Sequence, residues 1–136
     1  MLDTNICIYL MARQPPQVVA RFQQARAGDI AISVVTYAEL WHGVERCQGA
    51  DREQAAAGLR RFTQRVPVLV FDQAAAERYG ALAVAVRDRR RDALDRMIAA
   101  HAVSVDAVLV TNNEADFADY PGLVVENWTR APAAPA

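Results

Sequence analysis

The chain has 136 residues, 53% hydrophobic and 23% charged, which is the make-up of one globular domain around a single core, with no second domain expected. All fifteen basic residues are Arg, which excludes a P-loop, whose Lys must reach the phosphates, and a Schiff-base enzyme, which needs an amine nucleophile. A formal net charge of −1 provides no global field for nucleic acid, so any such binding must come from a local patch.

Met1 to Asp3 reads as a short strand, followed by a helix from about Asn5 that Pro15 and Pro16 break. Val18, Val19, Phe22 and Ala25 then form a 3.6-type stripe on a second helix from Gln17 to Ala27, which Gly28 terminates. A strand from Ile30 to Ser33 precedes a helix through Glu39 that ends near Gly43 to Cys47. Asp51 to Gln64 is Ala- and Arg-rich helix. Val66 to Phe71 is a continuous β-branched and apolar run that suits a buried parallel strand, after which helices over about 73–88 and 93–104 are expected. Strands at Ala107 to Val110 and Leu123 to Val125 complete the series.

Strands alternating with helices of about ten residues or more imply crossover connections, and so an α/β fold: a three-layer α/β/α sandwich with a central parallel sheet. The domain is expected over 1–128, with 129–136 as a flexible Ala/Pro-rich tail. No apolar run approaches the length of a membrane span, and an acid at position 3 does not fit a signal peptide, so a cytoplasmic protein without a membrane partner is expected. Cys7 and Cys47 match no metal-ligand spacing and read as free thiols.

Four acids stand at the edges of these elements: Asp3, Glu39, Asp95 and Asp116. Each has a local explanation. Asp3 could cap the next helix, Thr36 with Glu39 has capping-box spacing, Asp95 suits the first turn of a helix, and Asp116 could be a surface acid. The functional case rests on the set, because Asp3 and Asp116 follow strands at the carboxyl edge of a parallel sheet, where α/β ligand sites form. Gathered carboxylates repel unless a divalent cation neutralises them, and oxygen-only donors suit Mg2+ or Mn2+. Arg87, Arg89, Arg90 and Arg91 are the candidate nucleic-acid-binding patch, or else a solvated helix end. Glu39 and His42 have the Glu-x-x-His spacing of di-iron bundles, but no second such pair exists; His42 and His101 read as partly buried helix residues or RNA contacts.

Met1-Leu2-Asp3-Thr4-Asn5, Asp95 to Ala102, Thr111-Asn112-Asn113 and Tyr120-Pro121-Gly122-Leu123 to Asn127-Trp128 together resemble, in order and spacing, the PIN-domain ribonucleases, in particular the toxins of VapBC-type toxin–antitoxin pairs. The resemblance runs from Met1 to about Trp128. Where that family tends to have a Gly-Pro turn before its third acid, this chain reads Arg91-Asp92-Ala93-Leu94. The resemblance implies a PIN-like fold, with Asp3, Glu39, Asp95 and Asp116 as the catalytic, metal-holding acids and Asn5, Thr111 and Asn113 as supporting polar positions. It also implies an Mg2+- or Mn2+-dependent endoribonuclease toxin acting on RNA, tRNA included, inhibited by a cognate antitoxin, with a homodimer as the expected assembly. The alternatives are a non-toxin RNA-processing nuclease of PIN type and a non-enzymatic partner- or DNA-binding module in a repressor complex. A phosphatase or receiver domain also gathers acids above a parallel sheet, but commonly uses a Lys that this chain does not have.

Overall fold

A computed structural model of the chain describes residues 1–26, 28–89 and 92–130. Its strands are short: β1 (Ile32–Ser33), β2 (Val68–Leu69), β3 (Leu109–Val110) and β4 (Val125–Glu126). β1 pairs with β2 and β3 with β4, both in parallel. Residues 1–3 lie between the two pairs. Leu2 forms a parallel bridge with Val110, Val110 N–H donates to Met1 O at 2.8 Å, and Leu2 N–H donates to Ala31 O at 3.0 Å on the other side. The spatial order is therefore β2, β1, residues 1–3, β3, β4, with the start of the chain in the middle of a parallel sheet.

Among the described residues seven helices cover it: α1 (Thr4–Ala12), α2 (Pro16–Gln24), α3 (Val34–Glu45), α4 (Gly49–Arg65), α5 (Gln73–Ala85), α6 (Ala93–Ser104) and α7 (Glu114–Phe117). Side chains alternate across a strand, and here the alternation feeds two cores. Leu2, Ile32 and Val110 pack with Ile6, Leu10, Val18, Leu40 and Leu59 of α1 to α4. Met1 and Leu109 pack with Leu82, Ile98, Ala99 and Phe117 of α5 to α7. This is the three-layer α/β/α arrangement that the alternation of elements implies.

Helix starts are set by short polar side chains. Asp3 caps α1, Ser33 caps α3, Asp72 caps α5 and Asp92 caps α6, each accepting a hydrogen bond from a first-turn N–H. Ser33 corrects one local expectation. Because α3 begins at Val34, Thr36 lies inside the helix and forms no capping box with Glu39. Across the α2 face, Arg21 pairs with Glu126 and lies over the Trp128 ring, while Trp128 Nε1–H donates to the same Glu126 oxygen at 2.8 Å. This ties the end of the domain to α2. No helix among the described residues is long and apolar enough to cross a membrane. Of the expected tail, 131–136 lies outside the described residues.

Candidate active site

The carboxyl ends of the central segment and β3 meet at Asp3. Asp3 N–H donates to Val110 O at 2.9 Å, which brings the first acid beside the residue that follows β3, Thr111. Asp3 is buried, and its Oδ1 accepts from Ile6 N–H at 3.0 Å, so it does cap α1. The cap and the site are one residue. The buried Thr111 hydroxyl donates to Asp3 while its oxygen accepts from Asn113 N–H at 3.0 Å. Burial raises the pKa of Asp3, opposed by Thr111 and by the backbone N–H groups of Ile6 and Asn5, with Glu39 raising it further.

Glu39, on the sixth residue of α3, is half-buried, and its Oε1 accepts from the Thr4 hydroxyl at 2.6 Å. Asp95 stands in the first turn of α6, three residues after the cap Asp92. Its pKa is pushed up to about 6, first by burial and then by Asp92, Glu39, Asp116 and Asp3. Asp116 is exposed on α7, the four-residue helix after β3. All four acids therefore share one electrostatic neighbourhood at one edge of the sheet.

Among the described residues, no group of three or more His, Cys, Asp or Glu side chains is placed so as to hold a metal ion as it stands. The carboxylates are close enough to repel but do not form a closed ligand shell. Their chemistry fits a hard cation: every donor is oxygen, and the repulsion on Asp95 is the kind that a divalent charge relieves. On this structure Asp3, Glu39, Asp95 and Asp116 are the residues that could hold Mg2+ or Mn2+.

The supporting positions differ in kind. Thr111 acts through its side chain, whereas Asn113 and Asn5 act through backbone N–H groups, and both asparagines are exposed. Of the arginine patch, Arg89 pairs with Asp119 and Arg87 donates to Val84 O at 3.4 Å; Arg90 and Arg91 lie outside the described residues. The histidines separate. His42 is exposed and lines an apolar groove of about 440 Å3 with Val34, Ala38, Glu39, Leu94 and Met97. His101 is 1% exposed and its Nδ1 lies 2.7 Å from Ser33 Oγ, which the sequence gives no reason to expect. Thr4 was also absent from the sequence-derived set; its only signal there is its position next to Asp3.

A parallel α/β sandwich with four acids gathered at its carboxyl edge is a frame for chemistry on phosphates, and comparison with known proteins narrows it to the ribonucleases. The PIN-domain profile matches residues 1–123. Shigella flexneri tRNA(fMet)-specific endonuclease VapC is 38% identical over 131 residues, covering 95% of this chain and 97% of that protein. Rickettsia felis Ribonuclease VapC2 is 34% identical, covering 96% and 98%. Among solved structures, VapBC2 from Rickettsia felis bound to a DNA fragment from its promoter superposes with a TM-score of 0.85 at 33% identity, covering 94% of this chain and 97% of that one. VapBC-1 from nontypeable Haemophilus influenzae also gives 0.85, at 36% identity and 96% and 98% coverage. The chain belongs to the PIN-domain family and, within it, to the VapC ribonucleases.

Proposed function

We propose that this chain is an Mg2+- or Mn2+-dependent endoribonuclease toxin that hydrolyses RNA phosphodiesters, tRNA included, and is inhibited by a cognate antitoxin. The observation that carries this is the convergence of Asp3, Glu39, Asp95 and Asp116, strong enough for the other three each to raise the pKa of Asp95. Such a cluster alone repels a phosphate. Mg2+ or Mn2+ held by these acids would supply the positive charge for phosphodiester binding and for the charge that develops on hydrolysis. The protein's part is to hold the acids in place: Asp3 through Ile6 N–H and Thr111, Glu39 through Thr4, and Asp95 through the capped first turn of α6. Arg87 and Arg89, with Arg90 and Arg91, would hold the RNA backbone, so binding weakens with salt.

The antitoxin reading draws on the relatives' complexes and on the apolar groove that runs up to Glu39. A partner that fills the groove and places an Arg or Lys on the carboxylates would displace metal and block the phosphate path. A homodimer and a cytoplasmic location belong to the same proposal. DNA binding as part of a repressor complex is the second reading, favoured by the VapBC complexes of Rickettsia felis and Salmonella typhimurium solved with DNA.

The purified chain should cleave RNA with Mn2+ present, stop when EDTA is added, and lose at least about a hundredfold in rate as Asp95→Asn. Wild-type cleavage by a folded Asp95→Asn protein would remove Asp95 from the site. Cleavage that EDTA does not touch would remove the metal.

A further inference from the structure

We infer that Thr4 is a positioning residue for Glu39, holding that carboxylate ready for the divalent cation, and that the first turn of α1 therefore serves two acids from adjacent residues. The inference rests on the metal reading given above. Thr4 is the first residue of α1, placed there because Asp3 caps the helix. Its Oγ1 lies 2.6 Å from Glu39 Oε1 and 3.5 Å from Thr36 Oγ1. A hydroxyl has one proton to give, and the nearer, charged acceptor takes it.

Glu39 needs such a holder more than Asp3 and Asp95 do. Asp3 is buried and bonded to Ile6 N–H and Thr111, and Asp95 is short and half-buried on a capped turn. Glu39 reaches the site from the middle of α3 on a longer side chain with three rotatable bonds, and the groove beside it opens to solvent through Val34 and Leu94, 37% and 43% exposed. Like charge from Asp3 and Asp95 favours swinging the Glu39 carboxylate outward along that opening. The Thr4 hydroxyl opposes that motion. Thr36 is fully buried beneath the pair, so Thr4 in turn has a fixed neighbour.

The test compares wild type with Thr4→Val, which keeps the shape and removes the hydroxyl, and Thr4→Ser, which keeps the hydroxyl and removes the methyl. Mn2+ affinity is read directly, by calorimetry and by the spin-resonance signal of free Mn2+, with RNA cleavage against Mn2+ concentration as a second measurement. Thr4→Val should weaken Mn2+ binding roughly tenfold, the lower end of what is lost when a ligand's outer partner is removed, and shift half-maximal cleavage to higher Mn2+ by a similar factor. Thr4→Ser should restore affinity to within about threefold of wild type. In a Glu39→Gln background Thr4→Val should add less than about a twofold further loss, because the two residues act as one unit.

Wild-type Mn2+ affinity in Thr4→Val, or an equal loss in Thr4→Ser, would overturn the role of Thr4 while leaving the metal reading intact. A wild type that binds no Mn2+ would overturn both. Should Thr4→Val fail to fold, the Thr4→Ser protein and Thr4→Ala, each checked by metal-free melting, carry the same comparison: Thr4→Ala must show the loss and Thr4→Ser must not.

Discussion

Near pH 6 Asp95 carries a proton about half the time in the metal-free protein, and this sets the sign of two effects. Its folded pKa, about 6, lies above the ordinary value of 3.8, so between those values the folded state binds more protons than the unfolded one. The metal-free protein thus loses stability as pH rises from about 4 to about 6, and Asp3, raised in the same direction, adds to the loss. Asp95→Asn removes the main contribution. Assayed in EDTA at pH 7.5, it should melt above wild type, by about 2–4 °C if the relieved repulsion, reduced by solvent screening, is about 1 kcal/mol. A lower melting temperature would mean that the carboxylate stabilises the fold. Metal binding carries the opposite dependence, weakening as pH falls through 6 because protons compete for the same oxygens.

Asp3, Asp95 and Asp116 stood out in the sequence because each sits in a local string next to a strand or helix end, whereas Glu39, in the middle of α3, was picked out by the family resemblance of the set. The Thr4–Glu39 bond was not legible, since 35 residues separate its ends and nothing local to either announces the other.

At the scale of elements, α6 and α3 are joined beneath the site by the buried pair His101 and Ser33. Ser33 Oγ accepts the cap bond from Val35 N–H at 3.0 Å and meets His101 Nδ1 at 2.7 Å, while the His101 ring stands edge-on to Phe71. Burial lowers the His101 pKa, so the ring is neutral at neutral pH and shares a hydrogen bond with the Ser33 hydroxyl through Nδ1. Ser33→Ala removes a helix cap and leaves a buried ring nitrogen without its partner, together about 2–3 kcal/mol. Chemical denaturation should show a lower midpoint with an unchanged slope; a loss under about 0.5 kcal/mol would mean that water replaces the hydroxyl.

Helices were read from the sequence more reliably than strands. The helix expected from 93 begins at Ala93 because Asp92 is a legible cap, whereas the run Val66 to Phe71 contributes only Val68–Leu69 to the ladder. Pro67 has no N–H to donate, and Val70, 75% exposed, has already left the core. The four-residue α7 was missed, being too short to show a period.

For the whole molecule, the two cores meet across the sheet at residues 1–3, and the acid cluster crosses the same line. A ligand of the cluster therefore stabilises both halves. Millimolar Mn2+ should raise the melting temperature of wild type by several degrees, since a hundredfold excess over Kd adds about 2.7 kcal/mol. A variant with Asp3→Asn should respond much less. An unchanged wild-type melting temperature would assign these acids a structural role alone. The overall charge of −1 was readable at once, and the alternation of elements already put Asp3 and Asp116 at the carboxyl edge; the order of the strands was not readable, because it depends on connections that no local pattern specifies.

The central position of residues 1–3 bears on how the molecule comes into being. Met1 and its partner Val108 are 107 residues apart, and Asp3 gains its Val110 and Thr111 contacts from the same late stretch. On the ribosome, the first acid emerges long before the strand that seats it, and such distant pairings close slowly. Until β3 has been made and released, residues 1–3 can pair only on their β1 side, at Ala31, and Asp3 has no Val110 or Thr111 to fix it beside Asp95. Under the proposed function the nascent chain should therefore cut nothing, and the time between translation of its first and last sheet segments is time in which a partner can be synthesised before the acids are assembled.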